Sequence, residues 1–156
     1  MMEHSIRRRA VLALGAAALT LGACGGPPEA PPAVLAVTAQ GAAGMNPGPD
    51  GADRPVTVSI LQLSGTGAFD AADYLSLQDP AAALGGDLIK ADQIVLAPGA
   101  TVSRAIPVQA GVTTIAVTAG FRDPTGRSVR QKLPAPAGPA PLAITVGSGG
   151  LSVSGG

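Results

Sequence analysis

The chain is poor in the residues on which most enzyme chemistry depends. Its 156 residues hold one cysteine, one histidine, no tryptophan, one tyrosine and two phenylalanines. The histidine is His4, and it precedes a segment with the three parts of a cleavable export signal. These are Arg7-Arg8-Arg9, the uncharged run Ala10 to Leu21, and the small pair Gly22-Ala23. That run has 12 residues, against about 20 needed to span a bilayer. Once residues 1–23 are removed, no histidine remains. Ser-His-Asp and Cys-His catalysis and histidine-based zinc sites are thereby excluded. The leader takes three of ten basic residues and one of ten acidic ones, leaving seven against nine and a net charge of −2. No basic stripe and no aromatic platform exists for nucleic acid. With Phe69, Tyr74 and Phe121 as the only aromatics, a core must be built from Val, Ile, Leu and Ala.

The lone thiol, Cys24, cannot close a disulfide within its own chain, so it is free, intermolecular or modified. Leu21-Gly22-Ala23-Cys24 resembles the lipobox of bacterial lipoproteins. The resemblance implies a diacylglyceryl group on the Cys24 sulfur, cleavage before Cys24 and further acylation of the new amine. Two or more acyl chains anchor a protein stably, at about 0.8 kcal/mol per buried CH₂. Gly25 follows rather than Asp, which by the same resemblance implies the outer membrane. Arg8-Arg9-Ala10-Val11-Leu12 is similar to a twin-arginine signal, so the export route stays open. No cofactor is expected beyond that covalent lipid.

Residues 24–32 read as the acylated cysteine and a tether, because "GGPPEAPP" favours extended polyproline II. Residues 33–156 read as one domain with a modest core. "AVLAVTA" (33–39) and "VTVSI" (56–60) are strands. The second slips phase, since Leu61 and Leu63 continue on the other parity; a bulge or a buried stretch would explain this. Residues 69–90 carry helix punctuation. Asp70 is expected to cap a short helix with Asp73 in its first turn, and Asp79-Pro80 to open another that ends at Gly85-Gly86. About six short strands follow. They include two around Pro98-Gly99, with Pro107 marking an edge, and "TTIAVTAGF", with Ile115, Val117, Ala119 and Phe121 on one face. "DPTG" (123–126) is expected as a type I turn. Arg130 and Lys132 are expected on an exposed face, and Leu142, Ile144 and Val146 together inside. Short strands with frequent turns predict a mainly β, two-sheet sandwich with a helical insert between strands two and three.

Two acidic pairs invite chemical readings. Asp70 and Asp73 could be an acid/base pair, but helix capping accounts for them better. Asp50 and Asp53 suggest a calcium loop, but the EF-hand pattern is absent and a solvated turn is favoured.

Asn46-Pro47, Val58 through Leu63, Phe69, Asp73 through Leu77, Leu84-Gly85 with Asp87-Leu88, Pro98-Gly99 and Ala119 through Asp123 stand in an order that resembles the TssJ family. These are outer-membrane lipoproteins of type VI secretion systems. The resemblance runs from about residue 33 to 125. It implies a transthyretin-like sandwich and a non-enzymatic, structural role. It also implies binding to the periplasmic C-terminal domain of TssM, which works with TssL, so as to anchor a trans-envelope channel. The family's main contact loop, between the first two strands, falls on Gly44 to Arg54. Met45, Asn46, Pro47, Pro49, Asp50, Asp53 and Arg54 are therefore candidate partner residues, with Met45 as an adaptable apolar contact. Phe69, Leu77 and Phe121 are expected to be structural. Tyr74-Leu75 stands where the family often has two Phe, and residues after about 127 match poorly. The alternative from the residues alone is a lipid-anchored periplasmic sandwich binding a small ligand or polysaccharide. That would need an apolar pocket with convergent polar groups. A carboxylate-only hydrolase is a third class.

Overall fold

A computed structural model describes residues 25, 26 and 30–155. The leader and Cys24 lie outside the described residues. The described part of the tether, 25, 26 and 30–32, is in neither helix nor strand.

Among the described residues, eight strands form two four-stranded sheets. Strands β1 (Val34–Gly41), β4 (Thr101–Pro107), β7 (Ala140–Gly147) and β8 (Gly150–Gly155) make one, in the order β4-β1-β7-β8. Strands β2 (Val56–Leu63), β3 (Leu88–Leu96), β5 (Thr114–Gly120) and β6 (Arg130–Pro134) make the other, in the order β3-β2-β5-β6. The pairing of β1 with β7 is parallel and the other named pairs are antiparallel. The chain is therefore mainly β, as expected, with six strands after the insert.

Alternation decides which side chains meet between the sheets. Leu35, Val37 and Ala39 of β1 and Leu142, Ile144 and Val146 of β7 face Val56, Val58 and Ile60 of β2 and Ile115, Val117 and Ala119 of β5. Phe121 closes this core just past β5. Strand β3 crosses to β4 in the opposite sheet through a tight connection that holds Gly99 at φ 73°. Pro107 ends β4, an edge strand, where a missing N–H costs no ladder bond.

The phase slip in β2 has a physical cause. Its second half is buried on both faces. Val56, Val58 and Ile60 face the other sheet, while Leu61 and Leu63 face outward under the insert, with Ala116 beside them. Phe69, Leu77 and Leu84 cover that second cluster. A register shift also falls between Gln62 and Leu63.

The insert comprises α1 (Gly67–Ala71), a 3-10 turn (Ser76–Gln78), α2 (Pro80–Leu84) and a second 3-10 turn (Gly85–Asp87). It ends earlier than the sequence suggests, because Leu88 through Lys90 find β2 as a partner. Asp79 caps α2 as expected, accepting from the Ala82 N–H at 3.3 Å with Pro80 at the first turn. Asp70 does not cap α1. Thr66 holds that position, and Asp70 pairs instead with Lys132 at 2.6 Å. Asp73 lies past the end of α1 rather than in its first turn, and accepts from the Ser76 N–H at 2.7 Å, bracing the start of the following turn. Arg130 reaches the carbonyls of Phe69 and Ala72 at 2.9 and 2.7 Å. Arg130 and Lys132 thus clamp the insert rather than facing solvent freely.

Candidate partner-binding surface

The connection from β1 to β2 passes from one sheet to the other, and it is folded rather than slack. Asn46 O accepts from the Arg54 N–H at 2.8 Å, and the Gly48 N–H donates to Ala52 O at 2.8 Å. With the bridge between Pro47 and Asp53 these make a miniature hairpin. At its tip the Gly51 N–H returns to Gly48 O at 3.0 Å with φ 78°. Pro49 holds the second position of that turn, where its fixed φ fits.

The candidate residues divide into two groups. Met45 is fully buried in the main core, and Asn46 is 5% exposed. Met45 therefore cannot serve as the expected apolar contact. It is drawn inward because the loop crosses the open end of the sandwich and its one large apolar side chain fills that end. Asn46 bridges backbone, donating from Nδ2 to Pro55 O at 3.2 Å and accepting the Arg122 N–H on Oδ1 at 2.9 Å. Asp53 accepts from the N–H groups of Gly44 and Asn46. Pro47, Pro49, Asp50 and Arg54 are exposed. Asp50 and Arg54 pair at 3.0 Å across the tip, an exposed contact that orders the tip more than it stabilises the fold.

Two further loops are tied to this one, and the sequence offered no motif for the link. Arg127 places Nη1 within hydrogen-bond reach of four carbonyls. Met45 O and Ser148 O lie at 3.0 and 2.9 Å, Gly44 O and Gly147 O at 3.4 and 3.3 Å. Its guanidinium also lies 5.4 Å from the Phe121 ring centre, close enough for cation–π attraction. The turn expected at 123–126 lies one residue later: the Arg127 N–H donates to Pro124 O, and Gly126 takes φ 71°. The displacement follows from Asp123, whose Oδ1 accepts the Thr125 N–H at 3.0 Å. That bond, helped by Arg127 and Arg122, holds the Asp123 carboxyl below its ordinary range.

Beside this end stands Tyr74 of the insert, whose hydroxyl donates to Phe121 O at 2.7 Å. Burial raises its pKa, against the effect of that bond. Phe69 and Leu77 are each 2% exposed and Phe121 is 5% exposed, as packing residues should be.

The described residues contain no group of three or more metal-ligating side chains. A hollow of about 310 Å³ opens among Leu35, Leu133, Pro134, Ala135, Pro136, Ala140, Pro141 and Gly155. None of those side chains can donate or accept a hydrogen bond. Another of about 320 Å³ includes Thr66, Thr113, Thr114 and Lys132, but Asp70 engages Lys132. Neither offers an apolar pocket with convergent free polar groups.

Comparison with known proteins gives a consistent result. A family model for the type VI secretion lipoproteins VasD, EvfM and TssJ matches residues 33–149. No curated protein sequence matches the chain. The type VI secretion lipoprotein TssJ1 from Pseudomonas aeruginosa superposes with a TM-score of 0.73 at 26% identity, over 81% of this chain and 98% of that one. Serratia marcescens Lip, a membrane-bound component of the type VI secretion system, gives 0.68 at 25% identity, over 78% and 96%. A structure described as the C-terminal domain (869–1107) of the type VI protein TssM from EAEC gives 0.62 at 25% identity, over 78% and 97%.

Proposed function

The chain belongs to the TssJ family of type VI secretion lipoproteins, and from that membership we propose that it is held at the outer membrane by lipid on Cys24. In this reading it works without catalysis as a structural subunit, binding the periplasmic C-terminal domain of TssM through the β1–β2 loop. TssM, together with TssL, then carries the connection to the inner membrane.

The observation that carries the reading is the loop. It has eleven residues from Gly44 to Arg54, beyond the roughly 4–6 typical of a connection in a compact domain. It is nevertheless pinned by Asp53, Asn46 and Arg127. A long loop held in one shape by a rigid scaffold loses little entropy on docking. The match to the TssM structure adds support. About four-fifths of this 156-residue chain covers 97% of the chain matched there, which is therefore much shorter than residues 869–1107. A matched chain of that length fits a TssJ-like subunit accompanying the TssM domain.

The test is calorimetry of the described domain against the cognate TssM periplasmic domain. Pro47 to Ala52 is replaced by a Gly/Ser segment, with Met45, Asn46 and Asp53 retained. Wild-type protein should bind, the replacement should not, and both should melt at nearly the same temperature. Undiminished affinity in the folded replacement would remove the loop from the interface.

A further inference from the structure

With Met45 buried, the loop presents prolines and an internally paired Asp50–Arg54, but no large apolar side chain. Specific interfaces draw most of their energy from a few large anchors near the centre, ringed by polar groups. Three large apolar side chains are exposed among the described residues: Leu75 at 77%, Val95 at 67% and Ile89 at 38%. Val95 and Ile89 belong to β3. Leu75 belongs to the insert, and it is connected to the loop by an unbroken chain of contacts. Its neighbour Tyr74 donates to Phe121 O at 2.7 Å, and the next residue, Arg122, donates its N–H to Asn46 Oδ1 at 2.9 Å.

The turn that carries Leu75 is braced on both sides. The Ser76 N–H donates to Asp73 Oδ1 at 2.7 Å, and Gln78 Nε2 donates to Tyr74 O at 3.1 Å. Leu77, two residues on, turns inward to the cluster beneath the insert. Packing of the fold therefore accounts for Leu77 and leaves Leu75 in water on a fixed backbone.

We infer that the surface meeting TssM runs from the loop tip at 47–54 across Arg122 and Asp123 to the insert, and that Leu75 is its apolar anchor. The inference rests on the reading above and adds the partner's chemistry. Residues 67–87 carry Asp70, Asp73, Asp79 and Asp87 and no Lys or Arg. Lys132 neutralises Asp70, while Asp73 and Asp79 stay exposed. The part of the TssM domain that meets the insert is then an apolar pocket with a basic rim facing Asp73 and Asp79, and charge complementarity of that kind speeds association at low salt.

The test compares Leu75→Ser with Val95→Ser, a similarly exposed apolar site on β3, and with the loop-tip replacement. All are titrated with the cognate TssM periplasmic domain. Leu75→Ser should weaken binding by roughly tenfold or more, as removal of an anchor does, while its melting temperature stays at the wild-type value. Val95→Ser should bind as wild type. Wild-type affinity in Leu75→Ser overturns the inference, and leaves the loop reading standing if the tip replacement still fails to bind. Equal losses in both serine variants overturn it as well, since any apolar site would then serve. Self-association of the wild type that Leu75→Ser abolishes, with TssM binding intact, overturns the assigned occupant in favour of a second copy of the chain. Absence of wild-type binding to TssM removes both readings.

Discussion

Asp53 closes its own loop onto Gly44, accepting the Gly44 N–H on Oδ2 at 2.8 Å and the Asn46 N–H on Oδ1 at 3.3 Å. One carboxylate thus satisfies two backbone donors just past the end of β1, where no strand supplies acceptors. The pair fixes how the chain leaves one sheet on its way to the other. It therefore sets the direction in which the exposed tip points.

Asp53→Ala should leave both donors unpaired at a partly buried site, costing about 1–3 kcal/mol. Urea unfolding measures the cost, and hydrogen exchange at Gly44 and Asn46 should accelerate by more than the loss of global stability explains. Exchange unchanged at those two amides would show that the loop holds its shape by other means.

Phe69→Ala should be among the most damaging single changes. The ring lies over Leu61 and Leu63 beneath the insert, and Arg130 sits 5.5 Å from its centre. Truncating a buried Phe costs about 3–5 kcal/mol, a large share of the roughly 5–15 kcal/mol available to a small domain. The melting temperature should fall by many degrees. A melt within error of wild type would mean that the insert does not depend on this cluster.

Sheet content and the inward faces were legible because alternation is a local signal: Ile115, Val117 and Ala119 announce their face without help from the rest of the chain. The insert was legible from Asp79-Pro80 and Gly85-Gly86, whose backbone roles are also local. Met45 was misjudged because composition marks a Gly/Pro/Asp loop as solvated, and only the closed sandwich reveals an open end that a long side chain can fill. Asp70 was misjudged because an aspartate near a helix start reads as a cap, and Lys132 lies 62 residues away. Arg127 gave no signal at all. A cation that satisfies carbonyls from two other loops has no spacing pattern, since its partners are backbone groups far apart in sequence.

Acid should loosen the insert in a way that can be traced to one pair. Asp70 is held below its ordinary pKa mainly by the hydrogen bond from Lys132, and Asp73 by the Ser76 N–H. A carboxyl lowered in the folded state contributes stability that is present above its unfolded pKa. That contribution is lost as pH falls through the folded value, here below about pH 4. Melting temperature should therefore drop from pH 5 to pH 3. Lys132→Gln should make that drop shallower, and by the same linkage it should lower stability at pH 7 by the matching amount, small because the pair is exposed. Equal slopes for the two proteins would dissociate the pair from the acid response.

Cys24→Ser should abolish lipid attachment, since no thioether can form at serine. The variant should retain its leader and leave the outer-membrane fraction, while the isolated domain keeps its wild-type melt. Mass spectrometry of mature wild-type protein is the direct check. An unmodified Cys24, or a mature start at another residue, would defeat the anchoring reading.

Asn46→Asp separates the two hydrogen bonds of Asn46, to Pro55 and to Arg122 of the 121–129 segment, by changing one group. The Arg122 N–H keeps its acceptor on Oδ1, but the Nδ2 donor that meets Pro55 O at 3.2 Å becomes an oxygen facing an oxygen. The new carboxylate also stands near Asp53, whose Oδ1 lies 3.3 Å from the Asn46 N–H. Burial, the Pro55 carbonyl and the like charge all disfavour ionisation, so the folded pKa of the new acid should rise above its unfolded value. A raised carboxyl pKa costs stability at high pH and relieves that cost as pH falls, because the protonated acid can again donate to Pro55 O. The deficit relative to wild type should therefore be full at pH 7, about 1–3 kcal/mol, and shrink as pH approaches about 4. Asn46→Ala removes both hydrogen bonds without adding a titrating group, so its deficit should stay constant over the same range. Parallel pH profiles for the two variants would show that the Pro55 contact adds nothing to stability. Convergence of Asn46→Asp toward wild type at low pH would identify the Nδ2 donor to Pro55 O, rather than the Oδ1 acceptor for Arg122, as the bond whose loss costs the stability.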